Sequence, residues 1–440
     1  MAEDLRITRR SLVAGAAIGA TGLMSRMHQV AAANPASSAP LSFGGQDGAN
    51  IPTPREQTVI IESDPTNIWD SFNPFIPNGE LYFYGLPELC RECLFYANFL
   101  NGEITPWIGD SYTYNAGFTE CTLKIKPGVT WNDGQPYTAD DIAFSQNLLL
   151  KNSALNGATD VQRDITSVTA VDPQTVLFRL TKASPRFHYR FIAGIIEDGV
   201  RVVPRHIWER EDPGTFTFNP PVYTGAYMLQ ESSASKLYYL WKKNPNYWNS
   251  AVLDPKPEYV VYIQKAPVDS AVQEFLSGNL DVGAFDFLNQ EVVSSQDSNN
   301  ARLSFADPCP RGFYLNADSP SGLFATAEGR WAMSHLMDRE TMAKVIWQPE
   351  SRPATYPWAD YDGWKPWAPA EIMGKYDFSF DPAKAEALLE QIGATRQGDV
   401  RVLNGKPIQL TCITPAATTL PEYKIGESFA AEAKKIGVDV

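Results

Sequence analysis

Short stretches of alternating apolar and polar residues occur along most of the chain and predict β-strands. Residues 58–61 form an apolar run that predicts the first strand, and residues 118–126 alternate until Pro127-Gly128 ends the pattern. Asn132-Asp133-Gly134 is typical of a tight turn, because Asp-Gly tolerates the positive φ that such turns require. Residues 280–282 predict a further strand. The pattern therefore predicts several short strands joined by turns.

Capping residues mark the predicted helices. Thr138, with Asp141 three residues later, predicts a helix start whose apolar positions fall on one face. Asp269 and Asp381 predict two further starts, and residues 422–436 repeat the amphipathic pattern. Glycines that permit a left-handed backbone end these helices at Gly278, Gly393 and Gly437. Short strands mixed with capped helices predict an α/β fold.

The two ends of the chain depart from this pattern. Residues 34–57 are rich in Ala, Ser, Pro and Gly and predict a flexible lead-in. Residues 437–440 run into sequence that predicts the onset of a new strand. We therefore expect the C-terminal part of the fold to be incomplete in this chain.

Residues 1–33 have the three parts of an export signal. Arg9-Arg10 precedes a mildly apolar run at residues 12–24, and residues 31–33 are alanines that suit cleavage. Adjacent arginines before such a run are typical of twin-arginine signals; a charged cytosolic tail is the alternative. The run is shorter than the ~20 apolar residues of a membrane span. We expect a mature protein that is soluble in the periplasm.

The formal net charge of −14 narrows the class of partner. An acidic surface repels phosphate backbones and anionic lipids, so nucleic acid is not expected as a partner. The 440 residues suffice for two or three domains. Aromatic residues make up 12% of the chain, and such side chains often line clefts where flat ligand faces stack. Ordinary core packing is the alternative for most of them.

No catalytic motif occurs in the sequence. His188, His206 and His335 lie in no HExxH or similar pattern, and a GxSxG elbow, a Walker A loop and a dinucleotide-binding motif are all absent. The 51 acidic residues leave glycosidase-like carboxylate pairs open, because the separation of such pairs is three-dimensional. The sequence therefore favours a binding protein without cofactor or metal, with an exported hydrolase as the alternative.

Five cysteines raise the question of redox or metal chemistry. Cys121 and Cys412 alternate with apolar residues, as buried strand positions do. Cys90 and Cys93 form a lone CxxC, a spacing found in redox pairs and in half metal sites. Without a second such motif, a local disulfide or two buried thiols is favoured. The fifth is Cys309, and the odd count leaves at least one thiol unpaired.

Several short motifs follow one another from residue 103 to residue 389. The strongest, at residues 123–145, is similar to L-R-x-G-V-x-(F/W)-x-D-G-x-P-x-T-A-x-D-V-x-x-S. The others lie at residues 103–109, 224–227, 243–248, 277–281, 330–340 and 381–389. In content and order they resemble the bacterial extracellular solute-binding proteins of family 5, which include dipeptide- and oligopeptide-binding proteins.

The resemblance implies a bilobal α/β fold of the periplasmic-binding-protein type (type II) with an extra subdomain. Lobe I would comprise residues 58–95 and 220–305, the extra subdomain residues 96–219, and lobe II residues 306–440. A small ligand would lie between the lobes, which close by a hinge and deliver it to the permease subunits of an ABC importer. The protein would act as a monomer.

Two departures from the family bear on the ligand. Family members continue well beyond the equivalent of Val440, and that stretch often carries the acidic residue that pairs with a peptide's α-amino group. We therefore expect a truncated lobe II without this anchor. Residues 94–96, 106–107, 131–134 and 203–208 resemble oligosaccharide-binding members instead. Peptides and short oligosaccharides both stay open as ligands.

Loop residues near the expected cleft are the candidates for ligand contact. They are Trp69, Asn73 and Phe75 after the first strand, Tyr84, and Trp358 in lobe II. We predict that Trp69 and Trp358 act as stacking platforms, since sugar rings and flat ligand faces stack on indoles. Packing within the core is the alternative for each residue.

Overall fold

The computed structural model describes residues 51–440 apart from short segments. Those segments are residues 64–65, 67, 77–83, 99, 194–198, 265–267, 284–286, 297–300, 303–309, 349–350, 355–360, 415, 417 and 419. The predicted signal at residues 1–33, most of the lead-in at residues 34–57, Trp358 and Cys309 therefore lie outside the described residues.

The described chain contains both strands and helices in mixed order, which confirms the α/β prediction. The strands are β1 (Thr58–Ser63), β2 (Phe95–Ala97), β3 (Ile104–Pro106), β4 (Gly109–Tyr114), β5 (Glu120–Ile125), β6 (Ile165–Asp172), β7 (Thr175–Leu180), β8 (Ile192–Ala193), β9 (Tyr227–Ser233), β10 (Tyr238–Lys243), β11 (Tyr259–Gln264), β12 (Thr395–Gln397), β13 (Val400–Leu403) and β14 (Lys406–Pro407). The helices are α1 (Ala139–Lys151), α2 (Ala158–Asp164), α3 (Arg205–Trp208), α4 (Val268–Leu276), α5 (Phe287–Gln296), α6 (Ala327–Ser334), α7 (Arg339–Thr341), α8 (Ala370–Met373), α9 (Pro382–Gln391) and α10 (Pro421–Lys435). Among the described residues, none of these helices combines the length and apolar character needed to span a bilayer.

The first sheet joins distant parts of the chain in the order β1-β11-β10-β9. β1 and β11 are parallel, in a register that runs from Thr58 opposite Tyr259 to Ser63 opposite Gln264. Because side chains alternate between faces, one face buries residues such as Leu240 with helices α4 and α5. The other face turns Tyr239 and Trp241 into a larger core.

The second sheet has the order β4-β5-β7-β6 and packs against α1. The predicted start of α1 is confirmed, since the Thr138 amide donates to Asp141 Oδ2 at 2.8 Å. Asp141 Oδ1 also accepts from the Arg205 amide at 2.8 Å, which ties α3 to the start of α1. The predicted turn is present too, with Gly134 at a φ of 86°. Two smaller sheets have the orders β3-β2-β8 and β12-β13-β14.

The C-terminal residues form a hydrophobic core of their own. This core comprises buried residues between Leu323 and Val438, contributed by α6, α9, α10 and β13. The other cores draw only on residues between Ile60 and Ala301. Described residues 51–302 are therefore called the N-terminal body, and described residues 310–440 the C-terminal body. The lobe and subdomain boundaries drawn from the sequence stay a prediction.

The predicted helix ends in the C-terminal body are confirmed. Asp381 Oδ1 accepts from the Lys384 amide at 3.0 Å and caps α9. Gly393, with a φ of 81°, follows the end of α9, and α10 covers all but the last of the predicted residues 422–436. Gly437 follows α10 with a φ of 86°. Each glycine adopts the left-handed backbone that ends a helix.

Three predictions drawn from the sequence were wrong. Residues 280–282 form no strand, and Val282 makes only an isolated parallel bridge to Ile61 among the described residues. Cys412 is exposed and lies outside any strand. Helix α4 begins at Val268, so the predicted cap at Asp269 lies inside the helix.

Candidate ligand-binding site

The parallel pair β1 and β11 defines where a ligand is expected in the N-terminal body. In open α/β sheets, ligands bind in the crevice outside the carboxyl ends of parallel strands. These ends are Ser63 in β1 and Gln264 in β11. The loop that follows β1 contains four of the five residues predicted from the sequence to contact ligand.

Three aromatic side chains cluster near this edge. The Trp69 and Tyr239 rings stack with centroids 4.8 Å apart and an interplanar angle of 11°. Tyr84 meets Tyr239 edge-on at 5.3 Å. Tyr239 lies opposite Tyr262, in the carboxyl-terminal half of β11, and its hydroxyl donates to the Ile68 carbonyl. We call Trp69, Tyr84 and Tyr239 the carboxyl-end aromatic group.

Trp69 differs from its two neighbours in exposure. Tyr84 and Tyr239 are 7% and 0% exposed, whereas Trp69 is partly exposed at the edge of the core. Burial also raises the pKa of Tyr239, so its hydroxyl stays protonated and keeps donating to Ile68. One face of the Trp69 indole is thereby held against a fixed ring, and the side chain is positioned to present a planar apolar surface.

Asn73 and Phe75 belong to the same loop and are both fully buried. The Asn73 amide donates to the carbonyls of Pro213 at 2.9 Å and Phe216 at 2.7 Å. Its Oδ1 accepts from the Phe75 amide at 2.8 Å. These bonds fasten the loop that carries Trp69. Ligand contact by any of the predicted residues stays a prediction, and Trp358 lies outside the described residues.

A polar cluster surrounds Glu92, and it was not predicted from the sequence. The partly buried Glu92 carboxylate accepts from Trp107 Nε1 at 2.7 Å and from Trp248 Nε1 at 2.7 Å. The Tyr247 hydroxyl also donates to it. Burial raises the pKa of the Glu92 carboxyl, and the hydrogen bonds from Tyr247, Trp107 and Trp248 oppose that shift. We call these four residues the Glu92 clasp.

A cavity of about 670 Å³ adjoins the Glu92 clasp, with Glu92 and Trp107 in its wall. Most of the remaining lining is apolar, including Val59, Tyr227 and Val260. Val59 and Val260 lie near the amino ends of β1 and β11. The cavity is therefore displaced from the carboxyl ends of the parallel strands, and the carboxylate in its wall already accepts three hydrogen bonds.

The CxxC segment contains two cysteines in different surroundings. Cys90 and Cys93 are not joined in a disulfide; Cys90 is buried, but Cys93 is partly exposed, so the alternative of two buried thiols holds for Cys90 alone. Burial raises the pKa of the fully buried Cys90 thiol, which disfavours the reactive thiolate. No group of three or more His, Cys, Asp and Glu side chains suited to a metal occurs among the described residues.

Comparison with known proteins decides the family. The family model described as bacterial extracellular solute-binding proteins, family 5, middle region, matches residues 103–440. The chain belongs to this family. Membership confirms the resemblance drawn from the motifs. The family consists of solute-binding proteins and not enzymes, so the hydrolase alternative is set aside.

Curated relatives of this family 5 protein bear names of binding proteins. A probable ABC transporter-binding protein from Deinococcus radiodurans is 27% identical over 84% of this chain and 66% of its own length. The nickel-binding periplasmic protein of Escherichia coli is 23% identical over 77% of this chain and 63% of its own length. The chain thus spans less than two thirds of the length of these relatives.

Solved structures of similar fold confirm the predicted fold class. The periplasmic oligopeptide-binding protein from Thermotoga maritima has a TM-score of 0.68 at 24% identity, covering 88% of this chain and 72% of the other. The same protein with bound mannohexaose has a TM-score of 0.65 over the same shares. At this level of identity the likeness shows the fold alone.

Proposed function

We propose that this protein is the substrate-binding component of an ABC importer and works outside the cytoplasmic membrane. Membership of the family 5 solute-binding proteins, matched over residues 103–440, is the observation that carries the proposal. The separate cores of the N-terminal and C-terminal bodies support it, because two bodies with independent cores can move as units about a hinge. Permease subunits would receive the bound solute. The twin-arginine signal and the monomeric state belong to the same proposal.

We further propose that the ligand is a peptide or a short oligosaccharide bound between the two bodies. The partly exposed indole of Trp69, stacked on Tyr239, supports a ligand with at least one flat apolar face. Among the structural relatives, one carries mannohexaose and AppA from Bacillus subtilis carries a nonapeptide. Both ligand classes can present such a face.

A thermal-shift screen of the full chain tests the proposal. Peptide and oligosaccharide libraries are added separately, and a ligand that binds only the folded state raises the melting temperature. At a concentration of 100 times Kd the expected stabilisation is about 2.7 kcal/mol. A shift with one library and not the other assigns the class. Release of hydrolysis products, or no shift with either library, would contradict the proposal.

A further inference from the structure

The two bodies touch through a close backbone contact. In the C-terminal body, a 3-10 turn at Asp362–Trp367 faces the connection between β2 and β3. The Gly363 amide donates to the Leu100 carbonyl at 3.1 Å. Gly363 also lies against Gly102, so each body contributes one glycine.

Neither glycine leaves space for a side chain. A Cβ on Gly363 would lie 2.1 Å from the Gly102 nitrogen and 2.4 Å from the Asn101 carbonyl carbon. A Cβ on Gly102 would lie 2.9 Å from the Gly363 carbonyl oxygen. Gly102 has a φ of 74°, which favours glycine in any case, but the φ of Gly363 lies outside the left-handed region. At Gly363 only the approach of the other body excludes a side chain.

An aromatic contact lies beside this backbone contact. The Arg186 guanidinium lies over the Trp367 ring, 5.4 Å from its centroid, and Tyr189 meets Trp367 edge-on at 6.4 Å. Tyr189 stacks on His188 at 4.6 Å, and His188 stacks on Tyr112 of β4 at 4.8 Å. The N-terminal side of the contact is thus fixed to the second sheet.

We propose that Gly102, Leu100, Arg186, Gly363 and Trp367 form a latch that holds the two bodies together before ligand binds. The inference rests on the proposed function, because a latch regulates binding only if a solute is captured between the bodies. None of its contacts involves the carboxyl-end aromatic group. By joining the two bodies, the latch sets the population of the arrangement in which they touch; if that arrangement is the one that binds ligand, the apparent Kd is the intrinsic Kd divided by its population.

Gly363→Ala is the decisive variant. The backbone conformation at residue 363 tolerates alanine, but the added Cβ would clash with the backbone of Gly102 in the latch. Amide hydrogen exchange of the ligand-free full chain should show residue 363 protected in the wild type and exchanging at least ~10-fold faster in the variant. Small-angle X-ray scattering should show a larger radius of gyration. Gly312→Ala is the matched control, since a Cβ added at Gly312 would meet no atom within 4 Å apart from its chain neighbours.

Arg186→Ala and Trp367→Ala test the aromatic part of the latch. Each should accelerate exchange at Gly363 about 2- to 5-fold, the size expected for loss of an exposed cation–π contact. The double variant should add little to either single variant. Unchanged exchange in α9 would show that the C-terminal body is still folded.

Two results would overturn the latch. One is an unprotected Gly363 amide in the wild type. The other is a Gly363→Ala protein with unchanged exchange and an unchanged radius of gyration. Neither measurement uses a ligand, so both can fail while solute binding is still found. Conversely, a screen in which neither library shifts the melting temperature would contradict the proposed function but would not affect the exchange data, which report only on the contact between the two bodies.

Discussion

The carboxyl-end aromatic group and the Glu92 clasp contain the same kinds of side chain used in opposite ways. In the clasp, the polar atoms of Trp107, Tyr247 and Trp248 all donate to one carboxylate. In the aromatic group, the rings of Trp69 and Tyr239 stack, and Trp69 stays partly exposed. The first arrangement uses aromatic residues to join segments of the chain. The second leaves a ring face partly exposed at the edge where a ligand is expected.

The difference shows that aromatic richness alone does not locate a binding site. What matters is where the polar atom of each ring goes and whether a face is left accessible. Position in the sheet adds a further criterion, because the cavity beside the clasp is lined by Val59 and Val260 near the amino ends of β1 and β11. The comparison predicts that changes in the clasp affect stability, while changes at Trp69 affect binding.

The largest expected effect is that of Glu92→Ala on stability. The substitution leaves three donors without their acceptor, and each orphaned buried donor costs about 1–3 kcal/mol. We expect the free energy of unfolding to fall by about 3–5 kcal/mol, measured by urea denaturation. Glu340→Ala is the control, because Glu340 forms an exposed ion pair with Lys344 on the surface. An unchanged midpoint in Glu92→Ala would show that the clasp does not hold its segments together.

The next largest effect on stability is expected for Asn73→Ala, because the substitution removes three hydrogen bonds from the loop that carries Trp69. We expect a loss of about 2–3 kcal/mol in the free energy of unfolding. Asn152→Ala, which removes one exposed bond to Leu148, should cost less than about 1 kcal/mol. If Asn73→Ala instead abolished ligand binding without loss of stability, Asn73 would be a ligand contact, as the sequence analysis predicted.

The sequence predicted local structure, such as helix caps, better than it predicted which distant residues would meet. The caps at Thr138 and Asp381 were correct because capping depends on residues three positions apart. The Glu92 clasp was missed, although Trp107 and Tyr247-Trp248 had been noted as parts of separate motifs. Their meeting depends on how the sheets pack, which a local pattern does not encode. Tyr239 was missed as the partner of Trp69 for the same reason.

A smaller effect, on binding, is expected for Trp69→Ala. Loss of a stacking face worth about 0.5–1.5 kcal/mol should weaken affinity for a ligand found in the screen by about 2- to 10-fold. Trp69→Phe should retain most of the affinity. Leu253→Ser, in the wall of the cavity beside the clasp, should change it less than about 2-fold. Affinities are measured by titration calorimetry. A larger loss for Leu253→Ser than for Trp69→Ala would indicate that the ligand binds in the cavity.

The smallest expected effect is a pH dependence of the clasp. Burial raises the pKa of Glu92 above its usual value of 4.5, so the folded protein binds this proton at a higher pH than the unfolded chain does. Between those two pKa values the folded state holds more protons. The stability that Glu92 contributes therefore falls as the pH rises from about 4.5 through the folded pKa, and is regained on acidification.

Glu92→Gln isolates this contribution, because the amide does not titrate. As the pH is lowered towards about 4.5, the free energy of unfolding of the wild type should rise relative to that of the variant. The gain is limited to about 1.4 kcal/mol per pH unit. Asp141, whose pKa burial also raises, is present in both proteins and cancels in the difference. A free energy of unfolding that fell relative to the variant on acidification would contradict this prediction. It would mean that the three hydrogen bonds lower the pKa of Glu92 by more than burial raises it.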